Sequence, residues 1–251
     1  MLNNFFYFII RFIFVQNSTL NNCKMKKIYF FILFLSVCLC SCNQEIVYSC
    51  NESIDEWVHE NLSEIRLMSR SEWNCLEEEI KIPVYRAFTN QQRVDFWNER
   101  ITDILALEWS KEEKSHINLL LKFICEHQYF LDGYKLMSDD EKNVFDLFFY
   151  RWIDKAKIDF KWSDKILYSI LASGNTLLDT KGTLATTARQ FGSRAATLAS
   201  TESKCNCSKS SDWCMSSSAS YSCEDKPCDD DTLIGCGTLL NYDCDGRCGD
   251  I

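Results

Sequence analysis

The sequence predicts a mostly α protein, an N-terminal helical bundle followed by a small, irregular, disulfide-rich C-terminal module. Three observations carry this expectation. Residues 46 to 178 are rich in aromatic and aliphatic side chains and hold only two glycines, Gly133 and Gly174, and one proline, Pro83, so helix breakers are scarce. Capping boxes recur along that stretch, each a Ser or Thr whose oxygen takes an orphan backbone N–H while an acid or amide three residues on reaches back. Eight of the 15 cysteines crowd into the last 47 residues, a segment otherwise too polar to bury a core.

The boxes read Ser53 with Glu56, Thr89 with Gln92, Ser110 with Glu113, and Ser138 with Glu141. Apolar residues follow at helical spacing: Val94, Trp97, Ile101, Ile104 and Leu105 line one stripe, and Ile117, Leu120, Leu121 and Ile124 line another. The run from Val144 to Ile153 is apolar nearly all round, with Phe145, Phe148, Phe149 and Trp152, and is expected to be the central buried helix. A bundle of four to six helices joined by short antiparallel hairpins follows. The run Glu77-Glu78-Glu79 reads as a solvated helix face.

The start of the chain has the layout of a bacterial lipoprotein signal peptide over 25–41. Met25-Lys26-Lys27 is the charged region, Ile28 to Leu39 the apolar core, and Leu39-Cys40-Ser41-Cys42 a lipobox-like cleavage site. The apolar core has 12 residues, too few to span a bilayer. Cys42 is therefore the expected lipidated N-terminus of a helical domain over 42–179. Residues 1–24 read as an upstream extension ahead of the true start, since 17 of the 24 are Leu, Asn, Phe, Tyr, Ile or Lys, residues with A/T-rich codons. The processed chain would hold 23 basic against 36 acidic groups, a net charge of −13. Phosphate binding needs clustered Lys and Arg, so no nucleic-acid partner is expected; the expected partners are the membrane, through the lipid, and an unidentified target on other bacteria or in the envelope.

Residues 180–202 are dominated by Ser, Thr, Ala and Gly and form a linker or a marginal helix, the latter with Leu184, Ala188, Phe191, Ala195 and Leu198 on one seam. The module spans 203–251. Export places its cysteines in an oxidising compartment, so Cys205, Cys207, Cys214, Cys223, Cys228, Cys236, Cys244 and Cys248 are disulfide candidates, with a connectivity that the sequence leaves open. Zinc is the competing use, but the paired C-x2-C knuckles of zinc ribbons do not occur. Cys50 and Cys75 are a candidate additional bridge, and Cys125 reads as a buried thiol.

No catalytic residues, cofactor or metal site are expected. His59, His116 and His127 have neither metalloprotease spacing nor a partner nucleophile, and Cys125-Glu126-His127 offers two ligands where a site needs more. Asp229-Asp230-Asp231 reads as a solvated loop.

One further pattern is a resemblance. Cys205-Asn206-Cys207, then Ser211-Asp212-Trp213-Cys214, later Gly235-Cys236-Gly237-Thr238 and a closing cysteine pair, look like the bacteriocin fulvocin C, and Ile82-Pro83-Val84-Tyr85-Arg86-Ala87 leading into Trp97 looks like the N-terminal part of fulvocin C-related proteins. The resemblance implies a bacteriocin-like peptide at the end of a precursor, starting near Ser203. With nine acidic and four basic groups the module is at −5, which disfavours simple cationic permeabilisation of anionic bacterial surfaces. The expected function is thus an exported lipoprotein carrying a bacteriocin-like module released by cleavage in the linker or displayed; the alternative is an envelope binding or structural lipoprotein that stays intact.

Overall fold

A Ser, Thr or Asn side chain starts six of the eight α-helices among the described residues, because it accepts the first orphan backbone N–H where solvent would otherwise compete. The computed structural model describes residues 46–185, 207–214, 222–224 and 233–248. The helices are α1 (Glu52–Glu60), α2 (Leu62–Ile65), α3 (Arg70–Asn74), α4 (Glu78–Ala87), α5 (Asn90–Leu105), α6 (Lys111–Glu126), α7 (Asp139–Asp159) and α8 (Asp164–Leu171). The boxes at Thr89, Ser110 and Ser138 form with both reciprocal hydrogen bonds, and one more, Ser69 with Glu72, opens α3. The expected box at Ser53 does not. Asn51 caps α1 instead, its Oδ1 accepting from Ile54 N at 3.1 Å, which puts Ser53 inside the first turn.

The central helix is α5 rather than α7. Its Arg93, Val94, Phe96, Trp97, Arg100, Ile101 and Ile104 are all buried. On α7 only Phe145, Phe149, Trp152 and Ala156 are, spaced at three or four residues, while Val144, Leu147, Tyr150 and Ile158 are exposed. An all-round apolar run thus became a one-faced helix, because α6 and the turn that follows it cover a single side. Phe123 of α6 stacks on Phe148 at 3.7 Å. That pulls the buried stripe of α6 toward Phe123 and turns Cys125 out: its thiol is free and exposed rather than buried, and donates to Asn98 Oδ1 at 3.4 Å.

Five cationic side chains, Arg70, Lys81, Arg86, Arg93 and Arg100, lie buried in this body. Buried charge requires hydrogen-bonded partners, and here many of them are main-chain carbonyls. Arg100 donates to Ser173 O at 2.6 Å and to Ser169 O, and burial, together with nearby Arg70, lowers its pKa to about 9. Beyond α8 the chain folds back as a hairpin over 176–185, with Leu178 N to Thr183 O and Ala185 N to Thr176 O both 2.8 Å. This hairpin contains residues 180–185 of the expected linker or helix; 186–202 lie outside the described residues.

The module contributes four short strands, β1 (Cys223–Glu224), β2 (Ile234–Cys236), β3 (Tyr242–Asp243) and β4 (Arg247–Cys248), paired antiparallel as β1 with β4 and β2 with β3. The chain divides into two units, 1–46 and 47–251. The helical body and the module belong to the same one, and Leu239, Leu240 and Tyr242 of the module are part of the helical core. No described helix is long and apolar enough to cross a membrane.

His116 gives this body a pH dependence. Its ring stacks on Trp152 at 4.4 Å; Trp152 Nε1 donates to His116 O, and His116 Nε2 lies 3.0 Å from Trp152 O. Burial holds its pKa below the ordinary histidine value. As pH falls below about 6.5 the unfolded chain takes up a proton that the folded chain refuses, so stability declines until the folded ring titrates as well. Thermal melts from about pH 7 to about pH 5 should show that decline. His116→Gln should flatten it, and an unaltered slope in that variant would assign the dependence elsewhere.

Candidate functional site

Helix α4 carries the segment Ile82-Pro83-Val84-Tyr85-Arg86-Ala87, and its buried face is where the module sits. Arg86 Nε donates to Ile234 O of β2 at 2.5 Å, and Nη1 to Tyr48 O, ahead of α1, at 2.9 Å. Its Nη2 lies 3.7 Å from Cys244 Sγ. Beside it, Tyr85 Oη accepts from Trp97 Nε1 at 2.9 Å and donates to Leu239 O at 3.3 Å. Burial pushes the Tyr85 hydroxyl up to about 12, so it remains a donor. The backbone of β2 approaches α4 closely: at Gly235, with φ +131°, a Cβ would lie 2.5 Å from Ile82 Cγ2. Only glycine suits both that approach and that torsion.

The part of the module that enters the helical core is the turn between β2 and β3. Leu239 and Leu240 are both in the left-handed region, with φ 58° and 55°, a conformation costing about 1–2 kcal/mol per residue. Burying two leucines returns about 3–6 kcal/mol. At mid-range the burial outweighs a strain of about 2–4 kcal/mol for the pair, and Tyr242 adds to it. Its ring stacks on Tyr134 at 4.3 Å, and Tyr134 N donates to Asn241 O at 2.8 Å. Asp146 of α7 accepts from Tyr134 Oη at 2.6 Å and from Tyr242 Oη at 3.5 Å. Burial and then this carboxylate push Tyr134 up to about 12 and Tyr242 higher. Lys135 and Asp243 form an ion pair of 3.3 Å at the rim.

Within the module three disulfides are described: Cys207–Cys223, Cys214–Cys248 and Cys236–Cys244. They place six of the eight candidates; Cys205 and Cys228 lie outside the described residues, as do Cys42 and the Asp229-Asp230-Asp231 loop. The sulfurs of Cys207, Cys214 and Cys248 lie within 4.8 Å of one another, a spacing a metal could use, but each is already bonded to another sulfur. The expected Cys50–Cys75 bridge is not formed. On α3 the inward positions are Arg70 and Trp73, and Cys75, two residues beyond Trp73, carries a free thiol turned to solvent.

The segments that carry the resemblance meet here. Trp213 Nε1 donates to Thr238 Oγ1 at 3.0 Å, and Thr238 N donates to Ser211 Oγ at 3.0 Å, which joins Ser211-Asp212-Trp213-Cys214 to Gly235-Cys236-Gly237-Thr238. Asp212 accepts from Cys214 N at 2.9 Å and Cys223 N at 2.8 Å, bracing two disulfides. The second of these segments then rests on α4. Sequence reasoning quoted Tyr85 and Arg86 as part of a pattern but gave them no task, and it missed Tyr134, Asp146 and Tyr242, which are scattered across 109 positions.

Alongside the seam runs a cleft of about 420 Å³, with Trp73, Pro83, Trp213 and Leu240 among its apolar walls and Lys81 and Tyr168 among its polar ones. Lys81 is committed within the body, to Glu78 Oε2 at 3.0 Å and Asn175 Oδ1 at 2.7 Å. Arg86, Tyr85 and Tyr134 use their polar groups to hold two parts of the chain together. Comparison with protein-family models, curated proteins and solved structures gives no match to this chain.

Arg86→Ala leaves the carbonyls of Ile234 and Tyr48 without this donor, at about 1–3 kcal/mol each, so denaturant unfolding should register a loss of about 3 kcal/mol or more; a loss below about 1 kcal/mol would remove Arg86 from its central place. The tyrosines give a second readout. Since Tyr85 and Tyr134 keep their protons in the folded chain up to about pH 12 while an unfolded chain ionises near pH 10, stability should fall as pH rises between those values. Tyrosinate absorbance should then appear in two stages, with the late stage coinciding with unfolding.

Proposed function

We propose that this chain is an exported, lipid-anchored protein of the cell envelope that works as one intact, non-catalytic binding body. The cysteine-rich module would be its recognition surface, and the helical body its mount. One observation carries this reading: Leu239, Leu240 and Tyr242 of the module are buried in the helical core, 2–7% exposed, so the module is seated as part of a single unit. The signal-peptide layout before Cys42 supports the anchor, and the resemblance of the module to fulvocin C supports a target on other bacteria.

A second reading, in which the module is a bacteriocin-like peptide freed by cleavage within 180–202, is favoured by the disulfides. All three described bridges join module residues to each other, so the module carries its own covalent frame. Blotting fractionated cells and medium with an antibody to the module distinguishes the two. A single membrane-bound species the size of residues 42–251 is the expected outcome. A small fragment in the medium that inhibits bacterial growth would establish the second reading, and an unlipidated soluble protein would sink the anchor.

A further inference from the structure

We infer that the helical body is a non-covalent receptor for the cysteine-rich module, so that a chain cut within 186–202 keeps the module bound at the seam. This rests on the reading of body and module as one seated unit, and it assigns the body an interaction surface with a defined partner.

The seam has the composition of a protein–protein interface. Its centre is aromatic, with Tyr134 and Phe145 from the body against Tyr242 from the module; Tyr85 and Arg86 of α4 bind the module's main chain beside it, and the Lys135–Asp243 pair marks the rim. Asn241 is 1% exposed, yet among the described residues neither atom of its amide has a hydrogen-bond partner, a cost that a continuous core rarely carries. None of the three described disulfides crosses from module to body.

The direction of the hydrogen bonds defines what the receptor reads. Arg86 Nε, Tyr85 Oη and Tyr134 N all belong to the body, and they donate to the carbonyls of Ile234, Leu239 and Asn241 in the module. The body therefore recognises the main-chain shape of one turn, 234–244, closed by the Cys236–Cys244 bridge, and among the described module residues the side chains of Leu239, Leu240 and Tyr242 enter its core while Trp213 packs against it. A partner of this chemistry is a short hairpin closed by a disulfide, with three carbonyls presented on one side and two apolar residues at its tip.

The test uses the full oxidised chain with a site-specific protease sequence placed within 186–202. After cutting, size-exclusion chromatography in native buffer should give one peak holding both fragments, and a non-reducing denaturing gel should separate them. Loss of the module in native buffer would overturn the inference. So would fragments that stay joined in the non-reducing gel, since the link would then be covalent. Leu239→Ala, cut in the same way, should release its module roughly tenfold faster or more while the helical circular dichroism persists; release at the unaltered rate would show that the turn is not the element bound. The outcome is separable from that of the cell blot. A fragment found in the medium would sink the intact-body reading and leave this binding measurable, whereas dissociation on cutting would sink this inference even if cells never cut the chain.

Discussion

The fold depends on how two arginines on consecutive helices, Arg86 of α4 and Arg93 of α5, share out main-chain carbonyls. Arg93 of α5 donates to Arg86 O at 2.8 Å and to Leu131 O at 3.0 Å, which caps the end of α4 and ties it to the turn after α6. Arg86 then points the other way and holds the segment before α1 together with β2. A guanidinium suits this task because its planar fork presents several donors in fixed directions and does not deprotonate on burial as readily as an ammonium. Replacing either arginine by lysine would offer one point where the structure uses several.

Much of the helical body was legible in the sequence, because its signals are local. The boxes at Thr89, Ser110 and Ser138 need only four residues each, and all three form. One local signal misled, since Asn51 takes the cap of α1 two residues ahead of Ser53; the other errors fell where a choice depended on what lies across the core. Val144 to Ile153 reads as apolar all round, and nothing local tells which side α6 will cover. Cys125 adjoins Ile124 on the apolar side of α6 in sequence, but Phe123 claims the inward direction by stacking on Phe148. Pro83 sits inside α4 and helps to wall the cleft, where a rule about proline would end the helix a residue earlier.

The seam was illegible for a related reason. Composition divides the chain at a Ser/Thr/Ala-rich stretch, and such stretches ordinarily separate domains. The few apolar residues of the module looked too scarce for a core of its own, which is correct, and disulfides were invoked to supply the difference. Leu239, Leu240 and Tyr242 instead join a core built by other helices, and Trp213 packs against it. The disulfides and the borrowed core act on different things: the bridges restrict the unfolded chain, while the helical body supplies the apolar surroundings.

The paired left-handed leucines make the module's turn depend on the helical body. An isolated hairpin gains little by holding two consecutive leucines at φ 58° and 55°, because the burial that offsets the strain is provided by the helical core they enter. The strain of the turn is thus offset where the helical core receives its leucines. The helical body in this sense serves as a mould for the turn whose ends the Cys236–Cys244 bridge joins.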